Sequence, residues 1–238
     1  MTTSTASPPA TATWKRALFG VNAALAIFGS TFSFILALLG TYPSSNTNPT
    51  MLGNPEQGPV GRVLDYFTYF TIWSNILVAI IMTMLFLRPD RDSFVFRVLR
   101  LDSILMITVT GIVYNLVLSS TAELQGLEVY TNAFDHIVVP AATVIVWLLA
   151  GPRGWFSWRT VWASLVLPII WLIWALIRGA FIGAYPYPFL DVATLGYPAV
   201  IVNVLGVVAF AIVLALIFWG IDWVIRRLTE RDRTPVAA

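Results

Sequence analysis

Cysteine is absent from the 238 residues, and His136 is the single histidine. The first absence excludes disulfides, zinc–thiolate sites, iron–sulfur clusters and thiol nucleophiles. The second rules out bis-histidine haem and leaves little from which to build a His-based metal site. Charge is scarce as well. Only 11% of the residues are charged, against about 25% in an ordinary soluble domain. No G-x-S-x-G elbow occurs, so an α/β-hydrolase nucleophile is excluded. No internal repeat is evident, which argues against an inverted-repeat transporter. What remains is apolar: 58% of the chain is hydrophobic and the mean hydropathy is +0.80. The composition is that of a polytopic membrane protein, and the expected class is an all-α bundle of six transmembrane helices.

The runs long enough to cross a bilayer fall at residues 17–39, 62–87, 101–119, 132–150, 159–182 and 197–219. The first is over twenty residues long and has no cleavage pattern, so it reads as a retained span rather than a signal peptide. Residues 1–14 are small, polar and aperiodic and read as a disordered tail; residues 225–238 read as a charged tail, leaving 15–224 as the membrane domain. Residues 40–61 are rich in Gly, Pro, Asn and Ser and read as an irregular loop, long enough to hint at a cover. Residues 88–100 carry mixed charge and read as a short amphipathic segment at the interface. Pro168 predicts a kink in the fifth span.

Six spans put both termini on one side. Twelve of the 14 basic residues, from Lys15 and Arg16 through Arg100 and Arg153 to Arg233, fall on that same side; Arg62 and Arg178 do not. The positive-inside rule then predicts cytoplasmic termini and a multi-pass protein of the cell membrane.

The second span breaks the apolar pattern. In DYFTYFTIWSNIL, residues 65–77, Asp65, Thr68, Thr71 and Asn75 recur at a spacing that keeps them on one face of a helix. Polar groups in a membrane segment either bond neighbouring helices together or face a cavity. Topology assigns each a depth: Thr71 lies nine residues past Arg62, about 13 Å into the span. Asn115 and Ser119, His136, Arg178 and Asn203 fall at matching depth in the other spans. Five helices thus contribute polar groups to the half of the bundle away from the termini. Interhelical bonding alone does not require that concentration, and a site does.

A neutral imidazole is a general base near neutral pH, and a hydroxyl beside one is the minimal activated nucleophile for acyl transfer. Thr68, Thr71 and Ser74 are the hydroxyls at the depth of His136. Asn132 and Thr143 share the His136 face, whereas Asp135 points about 100° away and is poorly placed to orient the ring. Arg178 needs an anion, supplied by Asp65, Asp135, Asp191 or a substrate carboxylate. Gly179 and Gly183 stand at small-xxx-small spacing and are expected to serve helix packing.

These residues resemble a known family. FTIWSN at 70–75, Asn132-x-x-x-His136 with Pro140 after it, and YPFLD at 187–191 are similar to the androgen-induced and androgen-dependent TFPI-regulating protein family and its bacterial six-helix relatives. The resemblance runs over most of residues 62–223. It implies an integral membrane hydrolase that cleaves fatty acid esters of hydroxy fatty acids, with Thr71 as nucleophile, His136 as base, and Tyr187 through Asp191 at the rim of the site. The residues after Thr71 differ from the animal pattern, so Thr68 and Ser74 stay open as nucleophiles. The expected function is therefore lipid-ester hydrolysis, with membrane lipids or fatty acyl esters as substrate, no nucleic acid, and no metal or organic cofactor. Ser74, Asn75 or Asn115 would serve the oxyanion, Arg178 a substrate carboxylate, and Tyr187 and Asp191 the rim. A small-anion transporter using Arg178 and a non-catalytic scaffold are the rival classes. A Thr71–His136 separation beyond about 7 Å without a water path would defeat the hydrolase reading, because hydrogen-bond reach is about 3 Å.

Overall fold

The computed structural model describes residues 13–41, 48–53, 58–121 and 124–231. Over them the chain is helical, and six helical segments are long and apolar enough to cross a membrane. In order the helices are α1 (Thr13–Leu39), α2 (Pro59–Tyr66), α3 (Phe70–Leu87), α4 (Phe94–Val113), α5 (Glu128–Ala133), α6 (Val139–Ala150), α7 (Trp158–Ala163), α8 (Val166–Ile182) and α9 (Val192–Arg231).

Several boundaries differ from the sequence expectation, each for a local reason. α4 begins at Phe94, with the Ser93 side chain accepting from the Phe96 amide, so residues 94–100 start a span rather than lie along an interface. The fifth span bends at Ser164–Leu165, before Pro168 itself. Proline has no N–H to give the carbonyl four residues back, and that carbonyl belongs to Ser164. The last helix runs to Arg231, so residues 225–231 are helical and continue α9. The expectation for residues 1–12 and 232–238 lies outside the described residues.

The most consequential break lies in the second span. α2 stops at Tyr66 and α3 starts at Phe70, so Asp65 and Thr71 do not share one continuous helix face as the spacing predicts. Both are nevertheless buried, as are Thr68 and Asn75, because the short link turns the chain inward rather than out to lipid. The break leaves Thr71 in the first turn of a helix.

α1 packs along α3 and α6 through a stripe of small side chains: Ala23, Ala26, Gly29, Ser30, Ser33 and Ala37 are all buried. Small residues let helix backbones approach where no hydrophobic gain separates protein from lipid. Buried pairs fix the register. Asn22 bonds Thr143 at 3.2 Å, and Ser33 donates to the Asp135 carboxylate. Each such bond is worth about 0.6–2 kcal/mol in a bilayer.

At the end of the bundle away from the termini, residues 48–53 form a cover. Leu52 is buried, its amide donates to the Tyr185 carbonyl at 3.0 Å, and the Tyr185 amide donates to Thr50 at 2.8 Å. Tyr185 lies against Gly179, where a Cβ would sit 2.2 Å from the ring. Gly179 therefore admits a tyrosine rather than a neighbouring helix, and Gly183, at φ 69°, ends α8. The remainder of the 40–61 loop lies mostly outside the described residues.

Candidate active site

Thr71 Oγ1 stands 3.2 Å from His136 Nε2. Three local features create that juxtaposition. Thr71 is the second residue of α3, so the break after α2 presents its side chain and amide at a helix start. His136 lies in a π-helical turn, Phe134–Val138, between α5 and α6. Pro140 stands four residues after His136 and offers its carbonyl no N–H, which widens the turn at that point. The Asn115 side-chain amide fills the gap, donating to the His136 carbonyl at 3.2 Å and to the Gly111 carbonyl at 2.8 Å. Gly111 permits the approach: a Cβ there would lie 3.1 Å from Pro140 and 3.4 Å from the His136 carbonyl oxygen.

The imidazole is held from three directions. Nδ1 lies 3.2 Å from the Asn132 carbonyl, an oxygen that only accepts, so Nδ1 carries the proton and Nε2 presents a lone pair to Thr71. The Tyr114 ring stacks on the imidazole at 3.8 Å between centroids and 20° between planes. Tyr114 itself opens a second π-helical turn, Tyr114–Leu118, which continues α4.

Tyr187 closes the constellation. The Thr71 amide donates to its hydroxyl at 3.3 Å, the Phe70 amide lies in the same hydrogen-bonding range, and the hydroxyl is 3.4 Å from Thr71 Oγ1. The first turn of α3 has no side-chain cap, so this phenol oxygen satisfies amides that would otherwise be orphaned. Burial raises the phenol pKa, outweighing the opposing hydrogen bonds from Thr71 and Phe70, and the group keeps its proton at neutral pH. It is therefore a donor polarised by a helix N-terminus.

Thr71, His136 and Tyr187 line one wall of a cavity with about 110 Å³ of room for water-sized groups. The rest of its lining is almost wholly apolar: Leu105, Met106, Val109 and Val113 of α4, Leu165, Ile169 and Leu172 around α8, and Val204, Val207 and Ala211 of α9.

The other expected site residues are spent elsewhere. Ser74 donates to the Thr71 carbonyl at 2.8 Å and bonds Thr110 at 2.9 Å. Asn75, 0% exposed, donates to the carbonyls of Thr71 and Asp135 at 2.9 and 3.1 Å. Asn115 bridges two backbones as described. None of the three lines the cavity, and their donors go to backbone carbonyls and Thr110. Thr68 bonds the Leu64 carbonyl at 2.7 Å, which leaves Thr71 as the hydroxyl on His136. Arg178 is ion-paired with Asp65 away from the cavity lining, not open to a substrate carboxylate. Asp191 accepts from Thr50 at 2.6 Å and from Thr194 at 2.7 Å, anchoring the cover rather than meeting a ligand. Burial alone would raise its carboxyl pKa, but these bonds hold it below the usual value. Asn203 of α9 donates to the Phe189 carbonyl at 3.0 Å and steadies the Tyr187 segment.

Residue spacing did not reveal Tyr114 or the cavity wall from α8 and α9. Pro140 was the legible sign that the turn at His136 is irregular. No protein-family model, curated protein or solved structure matches the chain.

Proposed function

We propose that the protein is an integral membrane hydrolase of fatty acyl esters that works through an acyl-threonine intermediate. The observation that carries this reading is the 3.2 Å approach of Thr71 Oγ1 to the unprotonated nitrogen of a backbone-anchored imidazole, at the wall of an apolar cavity. In the first step Thr71 Oγ1 bonds to the ester carbonyl carbon while its proton passes to His136 Nε2. The negative oxygen is met by the Tyr187 hydroxyl and the positive end of α3, a role worth about 2.7–4 kcal/mol when one donor is well placed. The intermediate expels the alcohol, which takes the proton back from Nε2. Water then repeats the sequence on the acyl-threonine and releases the acid.

The apolar cavity suits the acyl chain. The resemblance of FTIWSN, Asn132–His136 and YPFLD to the threonine hydrolases supports the same chemistry. Twelve basic residues at the termini end support cytoplasmic termini, which sets the site in the outer half of a cell membrane. Arg178, on which an anion pathway would depend, is held by Asp65. The test is hydrolysis of a long-chain fatty acyl ester by the full chain in liposomes. Activity that vanishes in Thr71→Ala and His136→Ala supports the reading; equal turnover in the variants, or none in the intact protein, overturns it.

A further inference from the structure

The end of the bundle opposite Thr71 holds more positive charge than the protein answers. Arg100, in the second turn of α4, is 1% exposed. Its Nη1 meets only the weakly accepting sulfur of Met82 at 3.7 Å, and its Nε and Nη2 are buried with no hydrogen-bond partner. Among the described residues no carboxylate lies within ion-pair distance of it. Arg153, in the turn between α6 and α7, is close enough to repel it electrostatically. Arg153 donates Nη2 to the Trp147 carbonyl at 2.8 Å and to the Leu148 carbonyl, while its Nη1 stands 4.0 Å from Asp222. Asp222 is already bonded by the Gly154 amide at 2.8 Å, and Arg226, one turn later on α9, leaves a buried Nε unpartnered. Trp147 adds a buried indole N–H that is also without a partner. Arg153 and Arg226 thus flank the Asp222 carboxylate, and Arg100 beside Arg153 keeps unpaired buried donors; among the described residues Asp102, buried on the same helix as Arg100, makes no ion pair with any of them.

A buried cation lacking both counter-charge and hydrogen bonds is among the costliest arrangements in a fold. Guanidinium groups match the oxygens of phosphate in geometry as well as charge. Arg153 and Arg226 are partly exposed, so the cluster opens at the level where helix ends meet lipid headgroups. We infer that Arg100, Arg153 and Arg226 form a binding site for the phosphate of an anionic phospholipid headgroup, at the end of the bundle that carries the termini. The site is distinct from the Thr71 cavity, which is lined by none of these residues. Bound phosphate would tie α4, the 151–157 turn and α9 together, steadying the two-helix wall of that cavity from below.

The experiment is thermal unfolding of the full chain in neutral detergent, with added phosphatidylglycerol, phosphatidylcholine or inorganic phosphate. Phosphatidylglycerol is expected to raise the midpoint by on the order of 5 °C over phosphatidylcholine. Arg153→Gln and Arg100→Met should abolish that difference, while Arg227→Gln, an exposed charge deletion on the same end, should keep it. Arg100→Met removes an unpaired buried charge, so it is expected to fold without anionic lipid. An increase with inorganic phosphate that the same variants abolish keeps the phosphate site and assigns it a free anion. No increase with either ligand, or an increase that survives in Arg100→Met and Arg153→Gln, overturns the inference.

Discussion

The two sides of the bundle are built differently. In α3 and in the span that begins with α4, about half of the membrane-crossing window is buried within the protein, 50% and 56%; in the span of α9 it is 11%. The well-packed side, α1, α3, α4 and α6, carries the polar bonds that hold His136 and most of those around Thr71, while α8 adds the Arg178–Asp65 pair and the Trp171 indole bond to the Thr68 carbonyl. The thin side, α8 and α9, contributes hydrocarbon to the cavity wall and faces lipid on its other surface. The polar geometry around His136 therefore rests on the more deeply buried part, and the part proposed to accommodate an acyl chain is the part packed least. Chemistry and chain accommodation should consequently separate under mutation.

The largest effects belong to the residues around Thr71 and His136. Thr71→Ala and His136→Ala are expected to lower kcat for a fatty acyl ester by at least about 10³-fold with the protein still folded, measured as released acid in liposomes. Tyr187→Phe removes the polarised donor but keeps the ring, and should cost about 10²–10³-fold in kcat with little change in KM. Asn75→Ala removes the side-chain donor to the Asp135 carbonyl and one of two to the Thr71 carbonyl, and thermal unfolding should show a loss of about 1–3 kcal/mol along with reduced turnover. Ala211→Phe, on the thin side, should shorten the cavity. It is expected to lower kcat/KM about tenfold for long acyl chains and to spare short ones; an equal loss for both would show that the two sides are not separable.

The smallest effect concerns the cover. Because hydrogen bonds hold the Asp191 carboxyl below its usual range, its contribution is present above the unfolded-state value near 3.9 and is lost as pH falls through the lower folded value. Limited proteolysis within the 40–61 loop should therefore quicken only in that acid window, and Asp191→Asn should remove the dependence.

Much of this was legible in the chain. Scarce charge and six apolar runs define the helical class, and DYFTYFTIWSN marks the polar stretch because hydration makes such groups expensive in lipid. His136 and Thr71 stand out by type and depth. The break at 67–69 was hidden because Phe, Thr and Tyr carry no breaker signal, and the fold imposes the turn there by burying Asp65 against Arg178. That pairing also removed Arg178 from the site. The backbone bonds of Ser74, Asn75 and Asn115 were not legible because spacing gives depth and face, whereas each side chain bends back to a backbone carbonyl. Tyr187 was expected at the rim only through the resemblance; its bond to the first turn of α3 joins segments 116 residues apart, which spacing does not show.

The central claim is that Thr71 is the nucleophile and that His136 makes it one. Reaction of the purified full chain with an activated fluorophosphonate, followed by peptide mass spectrometry, tests it most directly. The account predicts one phosphonylated residue, Thr71, and no adduct in His136→Ala. Modification at Thr68, Ser74 or another hydroxyl, or an adduct on Thr71 that forms equally fast without His136, would contradict it.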